Sequence, residues 1–424
     1  MRVSVVVVGG GPAGLAVSHH LTAAAVDHVV FERGEVVNSW RHERWDSLRL
    51  LTPNWMAGLP GHPYEGDDPD GYMTAAEVVA GFDRYERRVA PPVLTGVTVR
   101  RVRRGPAGFD VVTDHGHWSC DAVVAATGAS SQPRVPALAA NLPDTIEQIT
   151  ALEYRRPSQL QGAGGGVLVV GASASGVQIA DELRRAGREV TIAVGEHVRL
   201  PRTYRGRDIY WWMDAIGQLD ERYDEVDDLD RARRHASIQV VGNDDRRDLD
   251  LNALQRGGVR VVGRFMAVEG RVAQCSGSLE NLVANADLKQ ARLLRRVDEF
   301  VEAQGLEGEV GRATDPEPTC LGAWPTELEL AEFSSVVWAT GYRPTFPWLD
   351  PAAFDRRHRI AHVGGVAHMP GLYVMGQPFL RRRRSNLISG MGPDAAELVA
   401  HLRGHLGQRA RSGRSAAGIA TSDR

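Results

Sequence analysis

Two glycine-spaced stretches hold the chemistry legible in this chain. Gly9-Gly10-Gly11-Pro12-Ala13-Gly14 fits G-x-G-x-x-G, and Gly171-Ala172-Ser173-Ala174-Ser175-Gly176 repeats it with serine at the middle position. In this pattern the first glycine makes a tight turn. The second lets a pyrophosphate approach the backbone, and the third lets helix pack on strand. The following helix offers free N–H groups and a partial positive charge to the phosphates. Two such stretches imply two dinucleotides. Glu32 ends the strand after the first, where a carboxylate accepts from ribose hydroxyls. The strand after the second has no terminal acid; Gly195 and Glu196 follow, then Arg199, Arg202 and Arg205. Arginines there suit a 2′-phosphate and favour NADPH over NADH, with Glu196 as counter-evidence and plain surface arginines as the alternative.

The elements that must position these groups follow from the pattern. Val3 to Val8 is an apolar, β-branched run, expected for a strand buried on both faces. His28 to Phe31 is its partner. Asp121 to Ala125 is a further strand, ending in Ala126-Thr127-Gly128. Val167 to Val170, Val190 to Val194 and Val336 to Trp338 repeat the arrangement, the last ending in Ala339-Thr340-Gly341. Thr74 and Glu77 form a capping box for a helix to about Arg88. Leu279 to Gln304 reads as a long amphipathic helix. Residues 132–161 are Pro-rich and read as an irregular connection between domains. Gly390-Met391-Gly392-Pro393 reads as a turn before a helix starting at about Asp394. Arg381 to Arg384 reads as a solvated charge run, and 408–424 as a disordered tail.

With 424 residues the chain suits two domains. Its 43% hydrophobic and 24% charged content is that of a globular protein, and a net charge of −3 gives no reason to expect nucleic acid or an acidic membrane. The apolar amino-terminal run reads as a fold element rather than a signal peptide or membrane span. Cys120, Cys275 and Cys320 form no C-x-x-C, which leaves a dithiol centre or Cys₄ zinc site unsupported. The expected compartment is the reducing cytoplasm.

The order of these motifs, with Tyr342-Arg343-Pro344 after the second Ala-Thr-Gly, resembles the flavin-containing monooxygenases. Trp45-Asp46-Ser47-Leu48-Arg49-Leu50, Asp68 to Tyr72 and Tyr204 to Ile209 are similar to their bacterial CzcO-like branch. The resemblance implies an α/β fold of two Rossmann-like dinucleotide-binding domains. FAD would occupy residues 1–160 and 336–407, and NADPH an inserted domain, 161–335. It implies FAD contacts from Gly9, Gly11, Pro12, Ala13, Gly14, Glu32, Arg33, Trp40, Arg41, Thr127, Gly128, Gly341, Gly376 and Gly392. NADPH contacts would come from Gly171, Ser173, Ala174, Ser175, Gly176, Arg199, Arg202 and Arg205. Thr52, Asn54 and Gln377 are expected near the flavin as catalytic candidates, with no metal. The implied reaction passes a hydride from NADPH to FAD, then oxygenates a nitrogen or sulfur nucleophile through a C4a-hydroperoxide. The expected partners are a small organic substrate and O2, without nucleic acid or membrane; a homodimer is compatible with this. One departure stands out. The family's F-x-G-x-x-x-H falls on Asp144, Ile146 and Thr150, with Tyr154 as the retained aromatic. An oxidase releasing hydrogen peroxide, a disulfide reductase and a redox sensor without turnover remain as alternatives; the missing C-x-x-C argues against the reductase.

Overall fold

The computed structural model describes residues 1–160 and 164–420, with side chains to Arg411. Two parallel sheets have the same internal order. The first runs Val93–Leu94, His28–Phe31, Arg2–Val8, Gly116–Ala125, Leu372–Val374. The second runs Arg260–Val262, Val190–Ala193, Gly166–Val170, Phe333–Trp338, Glu147–Thr150. In both, the strand before the glycines lies at the centre; its carboxyl-terminal half is buried in the first sheet and its whole length in the second, which explains the valine content. The expected boundary between residues 160 and 161 touches residues outside those described.

Antiparallel additions complete the first sheet. The hairpin Val99–Gly105 with Gly108–Thr113 pairs with Gly116–Ala125, and His362–Val363 with Val366–Ala367 extends the far edge. A separate antiparallel sheet, Phe265–Glu269, Val272–Cys275 and Glu327–Glu329, flanks the second unit and has no counterpart among the expected elements. The edge strand Glu147–Thr150 corrects the expectation of an irregular connection. Its residues lack a clear apolar alternation, and its pairing comes from Phe333–Trp338, far along the chain.

The Ala75–Val89 helix begins with the expected capping box on Thr74 and Glu77. Leu279–Gln304 is helical throughout and packs one apolar face inward. The last helix, Ile388–Ala420, starts earlier than expected and carries Pro393 inside it. It continues through most of the segment expected to be a tail; residues 421–424 lie outside those described. Among the described residues, no helix is long and apolar enough to cross a membrane, and no cluster of His, Cys, Asp and Glu is arranged for a metal.

Arg381 to Arg384 do not form a solvated run. Arg382 pairs with the buried Asp394 at 2.9 Å, Arg381 with Glu397 at 2.8 Å, Arg384 with Asp220 at 2.8 Å, and Arg383 with Glu221. These pairs tie the 214–222 segment to the start of the last helix. Asp220 and Glu221 lie far away in sequence, which is why the run reads as solvated.

His362 gives the fold an acid limit. Burial and the charges of Arg233 and Arg359 lower its pKa from 6.5 to about 4, and its Nδ1 accepts from the Gly365 amide at 3.3 Å. The folded pKa is below the unfolded one. The contribution is therefore full above about pH 6.5 and is lost as pH falls through 4. Thermal unfolding measured from pH 7 to pH 4 should show a falling Tm, with a shallower fall in His362→Gln. An unchanged slope in that variant would contradict this account.

Candidate functional site

Each unit forms a cradle at the carboxyl end of its central strand. In the first, Gly9 adopts φ +110°, and a Cβ there would lie 2.5 Å from Ala126 O. Its amide donates to Phe31 O at 2.8 Å. A Cβ on Gly14 would lie 1.9 Å from Gly9 O, so this glycine sets the approach of the Pro12–Ala23 helix to the turn. Gly11 differs: nothing lies within 4 Å of its Cβ position. The space it leaves opens into a cleft of about 560 Å³, lined by Gly9, Pro12, Glu32, Trp40, Thr127 and Gly376 among others.

Glu32 is 9% exposed, and its carboxylate accepts from the amides of Gly10 at 2.7 Å and Gly34 at 3.1 Å. These bonds orient it along the cleft wall while leaving acceptor capacity on both oxygens. The Thr127 hydroxyl is buried without a partner among the described residues and belongs to the same wall. An open pyrophosphate space, an unpaired hydroxyl and a positioned carboxylate together fit a dinucleotide.

The second cradle has nearly the same geometry. Gly171 has φ +110°, donates to Ala193 O at 2.9 Å, and would place a Cβ 2.4 Å from Ala339 O. A Cβ on Gly176 would lie 1.8 Å from Gly171 O. Ser173 stands where Gly11 does, with φ −84° against −82°. Both values are ordinary for any residue, so serine costs no strain there. Ser173 makes no side-chain cap, and Ala174 and Ser175 begin the helix that follows. Gln239, fully buried, donates to Ala172 O at 2.6 Å; nothing in its local sequence marks it.

Several expected contacts lie elsewhere. Gly341 follows Ala339 at the second cradle, as Gly128 follows Ala126 at the first, and it does not line the first cleft. The repeated Ala-Thr-Gly thus belongs once to each unit. Arg41 turns away to Val36 O and Asp83. Gly392 packs beside Pro60, 3.0 Å from its Cβ position, while Ile388 and Met391 line the cleft. Arg33, Ala13 and Gly128 do line it.

The three arginines after the second cradle are engaged in ion pairs. Arg199 pairs with Asp250 at 2.8 Å and Asp287 at 2.9 Å, Arg202 with Asp208, and Arg205 with Asp298 at 2.7 Å. Arg199 and Arg202 are buried, so a 2′-phosphate would have to displace a carboxylate from each. This corrects their assignment as cofactor ligands. Replacing Arg205 by alanine should leave the ratio of kcat/KM for NADPH over NADH unchanged; a narrowed ratio would restore the assignment.

Among the catalytic candidates, Asn54 accepts from the Met73 amide at 2.7 Å and donates to Asp68 O at 2.9 Å. Gln377 donates to Gly128 O at 3.1 Å, and Thr52 is buried and lines neither cavity. Asn54 also borders a second cavity of about 650 Å³, walled by Tyr64, Tyr72, Phe82 and Tyr85. That cavity shares Ile388 with the first cleft, and the Tyr85 hydroxyl in its wall has no partner among the described residues.

The two units approach at Trp40, which lines the first cleft and packs against the apolar cores of both. Burial raises the pKa of the Tyr342 hydroxyl. Thr150 ends its strand beside Trp338. Its amide and its hydroxyl each donate to Glu153 at 2.8 Å, and Tyr154 donates to Glu182 at 2.8 Å. Asp144 is exposed and Ile146 buried.

Residues 6–209 match the family model for pyridine nucleotide-disulphide oxidoreductases. An uncharacterized CzcO-like oxidoreductase of Geobacillus kaustophilus is 29% identical, over 95% of this chain and 99% of its own. The indole-3-pyruvate monooxygenase YUCCA1 of rice, Oryza sativa subsp. japonica, is 26% identical over 88% of this chain and 86% of its own. A solved flavin-containing monooxygenase from Stenotrophomonas maltophilia superposes with a TM-score of 0.67 at 21% identity, covering 95% of this chain and 99% of that one. The fold is that of the flavin-containing monooxygenases, with CzcO-like oxidoreductases among the sequence relatives. Cys120 and Cys275 are buried and Cys320 is exposed.

Proposed function

We propose that this chain is an FAD-dependent, NADPH- and O2-consuming monooxygenase that oxygenates a nitrogen or sulfur nucleophile on a small organic substrate. The observation that carries the reading is the pair of matching dinucleotide cradles, with Trp40 lining the first and packing against the cores of both units. FAD, when bound, supplies hydride acceptance and oxygen activation. The protein's part is to bind, orient and exclude water. Gly9, Gly11 and the amino end of the Pro12–Ala23 helix receive the pyrophosphate. Glu32 accepts from the adenosine ribose, and the Thr127 hydroxyl offers an unpaired polar contact. Ile388, Met391 and Trp40 close the cleft with apolar surface, which favours chemistry that water would interrupt. Gly171, Ser173 and Gly176 receive the nicotinamide dinucleotide.

The aromatic cavity beside Ile388 is assigned to the substrate. Gly81 lies on the helix that borders it, and the nearest atom to its Cβ position is Arg84 Nη2 at 3.8 Å. A Gly81→Leu variant should stabilise the helix by up to about 1 kcal/mol while filling the cavity. The expected result is a raised KM for the oxygenated substrate and an unchanged KM for NADPH. Equal effects on both would move the substrate elsewhere.

Thr150 favours a second reading to be tested alongside the first. Its hydroxyl is held by Glu153 and cannot carry a histidine's charge. Some NADPH oxidation should therefore end as hydrogen peroxide. The test screens amines, sulfides, ketones and 2-oxo acids, measuring NADPH, peroxide and product together. Oxygenated product from a soft nucleophile supports the monooxygenase. Peroxide equal to all NADPH consumed, with no product from any class, supports the oxidase.

A further inference from the structure

With Arg199, Arg202 and Arg205 occupied, the second cradle lacks the cation that NADPH selection requires. Comparing the two units locates the place where one is needed. The Gly9 amide donates to Phe31 O, and the Gly171 amide to Ala193 O. Phe31 and Ala193 are therefore equivalent, which puts Val194 at the position of Glu32 and Gly195 at that of Arg33. The next strands agree: Glu32 N donates to Leu94 O at 3.0 Å, and Val194 N to Val262 O at 2.9 Å. In the first unit the segment beyond Leu94 supplies Val97 and Thr98 to the cleft. In the second unit the matching segment beyond Val262 is Gly263-Arg264.

The ribose edge of the second cradle thus has a buried valine in place of an acid and a glycine beside it. The Arg264 guanidinium lies over that glycine. A Cβ on Gly195 would stand 3.6 Å from Arg264 Nε and 3.9 Å from Nη2. The Arg264 backbone is anchored: its carbonyl accepts from Ser276 N at 2.8 Å, and a Cβ on Gly263 would lie 1.9 Å from Ser276 O. Gly195 is held too, because His197 Nδ1 donates to its carbonyl at 3.0 Å. Among the described residues no carboxylate lies within ion-pair distance of the Arg264 side chain, which is exposed. This sets it apart from the three arginines nearer in sequence.

We propose that Arg264, reaching in from the neighbouring strand, selects NADPH by binding its 2′-phosphate over Gly195. Removing the acid of the Glu32 position takes away the repulsion, and Arg264 supplies a charge-assisted fork for the phosphate oxygens. The inference rests on the NADPH assignment above.

The test is equilibrium binding by calorimetry, using adenosine 2′,5′-bisphosphate and 5′-AMP as probes on the holoprotein. Wild type should prefer the bisphosphate. Arg264→Ala and Arg264→Gln should each lose about tenfold or more in bisphosphate affinity while keeping their 5′-AMP affinity. Arg271→Ala, an exposed arginine elsewhere in the same unit, should bind as wild type does. Steady-state kinetics should show the same loss as a raised KM for NADPH with KM for NADH unchanged. If both variants retain the wild-type discrimination, the role of Arg264 is overturned and the NADPH assignment stands. If wild type does not discriminate between the probes, both fall.

Discussion

Purified Gly11→Val should be folded and colourless. Wild type should be yellow from tightly held flavin. The expectation rests on the different constraints on the glycines of one motif. A side-chain carbon on Gly9 or Gly14 would come within 2.5 Å of a backbone oxygen, so substitution there disturbs the turn itself. Gly11 has φ −82° and no neighbour within 4 Å, so valine costs the empty protein little beyond the preference of a helix start. The space valine fills is the one the pyrophosphate needs. Circular dichroism and melting temperature should match those of wild type stripped of its flavin, because bound flavin itself stabilises the native state, while flavin absorbance disappears. A folded Gly11→Val with full flavin content would remove the first cradle from the account.

Arg202→Ala should lower the melting temperature more than the loss of Arg205 or Arg264. Arg202 is fully buried, donates to Leu51 O at 2.8 Å and pairs with Asp208. Its guanidinium stacks 4.8 Å from the Tyr72 ring and 5.5 Å from that of Tyr210. Tyr72 in turn donates to Asp208. Leu51 and Tyr72 belong to the loops after the first cradle, and Arg202 and Asp208 to the segment after the second, so the cluster joins the two units. Removing the cation leaves a buried carboxylate without its counter-charge, at a cost of about 3–5 kcal/mol. For units of this size the melting temperature should fall by on the order of 10 °C. Arg2→Ala, which breaks an exposed pair with Asp121, should cost about 0–1 kcal/mol. NADPH preference in surviving Arg202→Ala protein should be unchanged. A thermally silent Arg202→Ala with lost NADPH preference would contradict the structural assignment.

What the sequence makes legible divides along a physical line. The strands Val3 to Val8 and Val167 to Val170 are legible because burial on both faces demands continuous β-branched residues. The cradles are legible because backbone crowding at Gly9 and Gly171 excludes side chains. Charged groups are less so. The partners of Arg199 are Asp250 and Asp287, and the partner of Arg382 is Asp394, and no local pattern announces such pairings. Arg264 gives no local signal for the same reason: it follows a strand that becomes a neighbour of Val190–Ala193 only in the folded sheet. Gly341 is visible as a repeat of Gly128, but its place depends on which unit Phe333–Trp338 joins.

The central claim is that both cradles serve one oxygenation at their interface. Turnover under ¹⁸O2 with NADPH and a sulfide or tertiary amine, followed by mass spectrometry of the product, tests it most directly. One labelled oxygen atom in the sulfoxide or amine oxide, with NADPH oxidised in step and peroxide making up any difference, is the expected result. Unlabelled product, or complete recovery of the reducing equivalents as peroxide with every substrate class, would contradict it.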